Sequence, residues 1–130
     1  MNFTLIVCTY MRPDSLLNLL NSVKQQTFYP NEVLIIDGST NDETKNVLEQ
    51  NPFQNLNYFL VSNEHRGLTK QRNFGVSKVA NDTEVICFLD DDTVLTPTYF
   101  EEIIKVYTVF PEALGVGGYI NNETKWEKVA

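Results

Sequence analysis

The sequence has 130 residues, room for one compact domain with a modest core and not for two. Hydrophobic residues make up 42% and charged residues 21%, a globular balance that excludes disordered and fibrous chains. Ten Lys and Arg against 17 Asp and Glu give a net charge of -7, so nucleic acid is not an expected partner and an anionic ligand must find recruited positive charge.

No apolar run approaches a transmembrane length, and the N-terminal Met1 to Val7 stretch lacks the basic flank and cleavage site of a signal peptide. Cys8 and Cys87 lie inside apolar segments and read as reduced core thiols, which makes the cytoplasm the expected compartment.

Apolar runs alternate with helical periods along the whole chain. Asn2 to Cys8 predicts a first strand; Leu16, Leu17, Leu19, Leu20 and Val23 then mark one helix face, with Pro13 or Asp14 at the helix start. Glu32 to Ile36 predicts a second strand, closed by Asp37-Gly38. Thr40 and Glu43 have capping-box spacing for a short helix carrying Val47 and Leu48. A third strand is expected at Asn57 to Val61, followed by helical spacing through Leu68, Arg72, Gly75, Val76 and Val79. Glu84 to Leu89 predicts a fourth strand, running into Asp90-Asp91-Asp92. Thr96-Pro97 is expected to open a helix faced by Phe100, Ile103, Ile104 and Tyr107, and Gly115 to Ile120 to form a fifth strand. The pattern predicts a single α/β domain over residues 1–130, with a mainly parallel open sheet flanked by helices.

Parallel strands bring their carboxyl ends to one edge, where open α/β sheets bind ligands. Thr9-Tyr10, Asp37-Gly38 and Asp90-Asp91-Asp92 each follow a strand and are therefore expected on one rim. Three adjacent carboxylates repel one another, a cost that a divalent cation such as Mg²⁺ or Mn²⁺ removes; a solvated turn capped by Asp92 is the alternative. His65 to Asn73 is the one dense basic stretch, in which Arg66, Lys70 or Arg72 can neutralise phosphate and Gly67 permits close backbone approach. A solvated helix face is the alternative there, and His65 reads as a loop residue rather than a base. Asp37 can accept a hydrogen bond from a base N–H or a ribose hydroxyl.

Taken in order, Ile6-Val7-Cys8-Thr9-Tyr10-Met11-Arg12-Pro13, Leu34-Ile35-Ile36-Asp37-Gly38-Ser39-Thr40-Asn41-Asp42, Gly67 to Gly75 and Phe88-Leu89-Asp90-Asp91-Asp92 resemble the family 2 glycosyltransferases, nucleotide-sugar enzymes of the Rossmann-like GT-A fold. The resemblance implies that the strands ending at Asp37, Thr9 and Leu89 are neighbours. It implies that Thr9, Tyr10 and Arg12 line a base and ribose site, that Asp37 contacts the base, and that Arg72 lies on the nucleotide side. It places Asp90 and Asp91 near ribose and diphosphate, with a metal at Asp92 and Asp90 as the other outer acid of the Asp-x-Asp motif. Where the family often has a first acid before Asp37, this chain has Ile36.

The implied reaction is inverting transfer from a nucleoside diphosphate-sugar to a glycan or lipid-linked acceptor, with Mg²⁺ or Mn²⁺ as cofactor. The general base is expected beyond Ala130, so the chain reads as the truncated, donor-holding part of a longer enzyme. Peripheral contact with the inner membrane face and homo-oligomerisation are compatible with that role. A regulatory nucleotide-binding domain using the same pocket is the alternative function.

Overall fold

The computed structural model describes residues 1–113 and 115. Four strands, β1 (Phe3–Thr9), β2 (Glu32–Asp37), β3 (Leu56–Leu60) and β4 (Val85–Asp90), form one sheet in the order β3-β2-β1-β4. All three pairings are parallel, as expected of the α/β alternation. The strands ending at Thr9, Asp37 and Asp90 are adjacent, in the arrangement the family resemblance implies.

Side-chain alternation along β1 divides the core in two. Phe3, Leu5 and Val7 face a larger cluster with Val33, Ile35 and Val85, closed by α1 (Pro13–Lys24), α2 (Glu43–Gln50) and α4 (Tyr99–Val109) through Leu16, Leu19, Leu20, Val23, Leu48 and Phe100. Ile6 faces the other side with Leu34, Ile36 and Val61, where Phe74 of α3 (Leu68–Lys78) packs. Close approach of α3 depends on Gly75, where a Cβ would lie 2.9 Å from Ile6 Cγ2 and 3.2 Å from Ile36 Cγ1. Because α3 lies over β1 and β2, Ile86 and Phe88 on that face of β4 stay partly exposed.

Four local expectations change, the first being β3, which runs Leu56–Leu60 and so lies one residue earlier than Asn57 to Val61 at both ends. Strands β1, β2 and β4 each extend one residue further than predicted, drawing Thr9, Asp37 and Asp90 into the ladder, where Thr9 pairs with Asp37 and Cys8 with Asp90. The capping box at Thr40 and Glu43 does not form. Asp42 is the N-cap, Asn41 Oδ1 accepts from Glu43 N–H at 3.1 Å, and Thr40 Oγ1 turns to Met11 Sδ. Thr96-Pro97 lies before α4 rather than opening it: Thr96 O accepts from Tyr99 N–H and from Gln26 Nε2, and Pro97 O from Thr27 N–H. The chain there turns back onto α1. Gly115 apart, the expected fifth strand lies outside the described residues.

Candidate functional site

A cavity of about 430 Å³ opens at the carboxyl ends of the strands, lined by Cys8, Thr9, Tyr10, Arg12, Arg66, Gly67, Leu68, Gln71 and Asp91. A second cavity of about 400 Å³ lies at the amino ends, among Asn2, Asn31, Glu32, Asn55 and Asp82. No lysine or arginine lines that second cavity, so an anionic ligand finds no counter-charge in it. Chemistry and topology both favour the carboxyl-end site.

The rim is a hydrogen-bonded network. Thr9 is buried, and its Oγ1 donates to Asp91 Oδ2 at 2.9 Å. Asp91 Oδ1 in turn accepts from Arg12 Nη1 at 3.1 Å, with Asp92 Oδ2 3.8 Å from the same nitrogen. Met11, between them, adopts a left-handed backbone (φ 55°) and donates its N–H to Ser39 Oγ, tying the loop after β1 to the loop after β2. Tyr10 is half exposed at the cavity mouth, where an aromatic face is available for stacking.

Asp37 is fully buried and is not part of the cavity lining. Its Oδ1 accepts from Ser39 N–H and Ser39 Oγ, and its Oδ2 from the Tyr58 hydroxyl at 2.6 Å. Burial, and then this bond to a carboxylate, push the Tyr58 phenol well above its ordinary pKa. Both carboxylate oxygens therefore already have protein donors.

The basic stretch divides. Arg66 lines the cavity and donates from Nε to Gly38 O at 2.7 Å, while its Nη1 meets Asn63 Oδ1. Arg72 stands outside the lining, stacked over Phe88 at 5.6 Å and 3.8 Å from Asp90 Oδ1. His65 closes a single 3-10 turn, Asn63–His65, rather than an open loop, and its ring packs on Phe74 at 5.2 Å. Gly67 has φ +116°, a left-handed backbone that favours glycine, and its N–H donates to Gln71 Oε1. Sequence reasoning missed Gln71, Ser39 and Tyr58 as site-forming residues. For Gln71 a signal was present: the helical phase that buries Gly75 also buries the position four residues earlier.

The acidic triplet is not a preformed cage, and among the described residues no three His, Cys, Asp or Glu side chains converge on one point. Asp91 is committed to Thr9 and Arg12, whereas Asp90 and Asp92 project into solvent, each only 3.8 Å from an arginine. Two exposed carboxylates fit a hard cation that takes one or two acids from protein and fills its remaining positions with substrate phosphate and water, as Mg²⁺ and Mn²⁺ do.

A parallel 3-2-1-4 sheet with a cation-flanked cleft at its carboxyl edge defines a Rossmann-like nucleotide-binding architecture. The chain belongs to Glycosyl transferase family 2, whose sequence pattern it matches over residues 4–129. It is 29% identical over 124 residues to the glucosyl-dolichyl phosphate glucuronosyltransferase of Haloferax volcanii, covering 92% of this chain and 38% of that protein. It superposes on S. aureus TarS 1–349, solved in complex with UDP-GlcNAc, with TM-score 0.71 and 26% identity over 84% of this chain and 32% of the other. The mannosyltransferase PcManGT of Pyrobaculum calidifontis, solved with GDP-Man and Mn²⁺, shares the fold with TM-score 0.70, at 22% identity over 82% of this chain and 32% of that one. The sheet and its neighbours are those of the GT-A glycosyltransferases. The chain spans little more than a third of the length of the curated relative.

Proposed function

We propose that the chain is the donor-holding part of an inverting, metal-dependent glycosyltransferase that moves a sugar from a nucleoside diphosphate-sugar to an acceptor hydroxyl. The observation that carries this reading is the cleft at the carboxyl edge: Tyr10 at its mouth, Arg12 and Arg66 beside it, and Asp90 and Asp92 exposed at the same edge. In this reading Tyr10 and Thr9 face the nucleoside, and Asp37 shapes the base end through Ser39 and Tyr58 from behind the lining. Arg12 and Asp91 stand beside ribose and diphosphate, and Arg72 holds Asp90 from the α3 side.

Asp92, with Asp90, would hold Mg²⁺ or Mn²⁺, which supplies positive charge against the departing nucleoside diphosphate. An acidic chain needs such a mediator to take an anionic donor. The acceptor in this reading is a glycan or a lipid-linked saccharide, which the dolichyl-phosphate-linked chemistry named for the Haloferax volcanii relative supports. Peripheral contact with the inner membrane face and self-association belong to the same proposal. No helix among the described residues is long and apolar enough to cross a membrane.

Calorimetry with UDP, GDP and dTDP and their sugars, with and without Mn²⁺, tests the reading. At least one nucleoside diphosphate-sugar should bind more tightly with Mn²⁺, and Asp92→Ala should lose that stimulation while melting like the parent. Metal-independent binding equal for mononucleotides and nucleotide sugars would instead support a regulatory nucleotide domain.

A further inference from the structure

Resting on that reading and deepening it, we propose that Arg66, which lines the same cavity as Arg12, is a phosphate-binding residue of the donor cleft, and that the buried amide of Gln71 is the positioning residue that sets the two guanidiniums relative to each other. Gln71 is a polar side chain only 4% exposed, within α3. A buried amide persists where its donors and acceptor are satisfied, and here all of the satisfaction comes from the rim of the cleft. Nε2 donates to Thr9 O at 3.1 Å and to Ile36 O at 2.9 Å; Oε1 accepts from Gly67 N–H at 3.0 Å. One side chain thus pins the end of β1, the end of β2 and the turn that starts α3.

Each pinned point leads to an arginine. Thr9 passes through Asp91 to Arg12. Thr9 O also accepts from Gly38 N–H, and Gly38 O receives Arg66 Nε. Gly67 follows Arg66 directly in the chain. Arg12 and Arg66 therefore stand at the two ends of one connected network with Gln71 at its centre, and both line the same 430 Å³ cavity. Arg12 donates from Nη1 and Arg66 from Nε and Nη1, which leaves Nη2 of each for a ligand, and the fork geometry of arginine suits phosphate oxygens. Arg72, the arginine the motif order points to, is turned to Phe88 and Asp90 instead. The packing at Gly38 fits the same picture, since a Cβ there would lie 2.7 Å from Gln71 Oε1 and 3.3 Å from Arg66 Cγ.

The test compares calorimetric affinities for UDP and UMP, and for GDP and GMP, with Mg²⁺ present. Arg66→Ala should weaken the diphosphate by about 10- to 100-fold, the range for a hydrogen bond to a charged group, and the monophosphate less. Gln71→Met, which keeps the volume and removes the amide, should lower the diphosphate-to-monophosphate preference in the same direction. The double variant should lose less than the sum of the two, because both act on one contact. Gly38→Ala serves as a second variant where Gln71→Met fails to fold, since it displaces the amide without deleting it. Equal weakening of mono- and diphosphate by Gln71→Met or Gly38→Ala would make Gln71 merely structural and overturn the proposal. Unchanged diphosphate affinity in Arg66→Ala would overturn it as well. A parent chain that binds none of these nucleotides, and neither dTDP nor dTMP, would bring down the donor-binding reading itself, and with it this one.

Discussion

At the scale of single residues, the site is made by polar groups that neutralise one another before any ligand arrives. Asp37 illustrates this: three donors from Ser39 and Tyr58 hold a carboxylate that has no exposure of its own. Asp37→Ala strands the Tyr58 hydroxyl and the Ser39 donors, so it should lower unfolding stability by about 1–3 kcal/mol. Urea titration reads this directly, and a variant as stable as its parent would show that the network contributes nothing. Nucleoside affinity should fall in the same variant while the response to Mn²⁺ persists, because Asp90 and Asp92 lie on another strand end.

The thiols give a second residue-level expectation. Burial pushes Cys8 up to about 11 and Cys87 to about 12 from an ordinary 9.0. Both groups bind their protons more tightly folded than unfolded, so the stabilisation is complete below pH 9 and is lost as pH rises through 11 to 12. Melting temperature followed from about pH 8 to 12 should fall across that window, and Cys87→Ala should flatten the decline. A melting temperature constant to the top of that range would contradict the assignment.

At the scale of elements, the decisive contact is that of α3 with the sheet. This helix supplies Gln71 to the rim and Gly75 to the strand surface, four residues apart and so on one face. Replacing Gly75 by alanine gains about 1 kcal/mol in helix propensity but forces a methyl against the stiff β-branched side chains of Ile6 and Ile36. Overpacking typically costs about 1–3 kcal/mol, so Gly75→Ala should be destabilising on balance and Gly75→Val more so. The urea midpoint should drop with an unchanged m-value. Donor affinity should drop too, since Gln71 moves with the helix. A Gly75→Ala variant of parental stability would mean that α3 adjusts freely on the sheet.

At the scale of the whole molecule, the proposed reading leaves no described side chain at the cleft to activate an acceptor, because the exposed Asp90 and Asp92 would be given to the cation. Asp91 is engaged by Thr9 and Arg12, Asp37 is buried outside the lining, and His65 packs on Phe74 and does not line the cavity. General-base assistance is worth about 10²–10⁴-fold in rate, and fixed orientation of the two reactants contributes roughly 7–11 kcal/mol. Residues 1–130 should therefore bind a nucleoside diphosphate-sugar with Mn²⁺ or Mg²⁺ yet release nucleoside diphosphate no faster when simple acceptors are added. Acceptor-dependent turnover by this chain would show that a base is present after all.

The sequence by itself determined the α/β alternation, the parallel sheet and the convergence of Thr9, Asp37 and the Asp90 to Asp92 triplet on one edge. These follow from the local periodicity of each segment and from its alternation, since a helix between two strands is the crossover that returns the second parallel to the first. Legible too were the apolar faces of α1 and α4, because burial there needs only the helical period of about 3.6 residues. The tertiary structure decided which of the polar residues meets which. Asp91 turns inward to Thr9 while its neighbours face solvent, Arg66 rather than Arg72 enters the cleft, and Asn41 rather than Thr40 receives the first N–H of α2. Adjacent residues of one type are equivalent in a sequence. They become different only when strands and helices distant in the chain bring a partner within about 3 Å of one and not the other, since a hydrogen bond is lost over less than the distance separating neighbouring side chains.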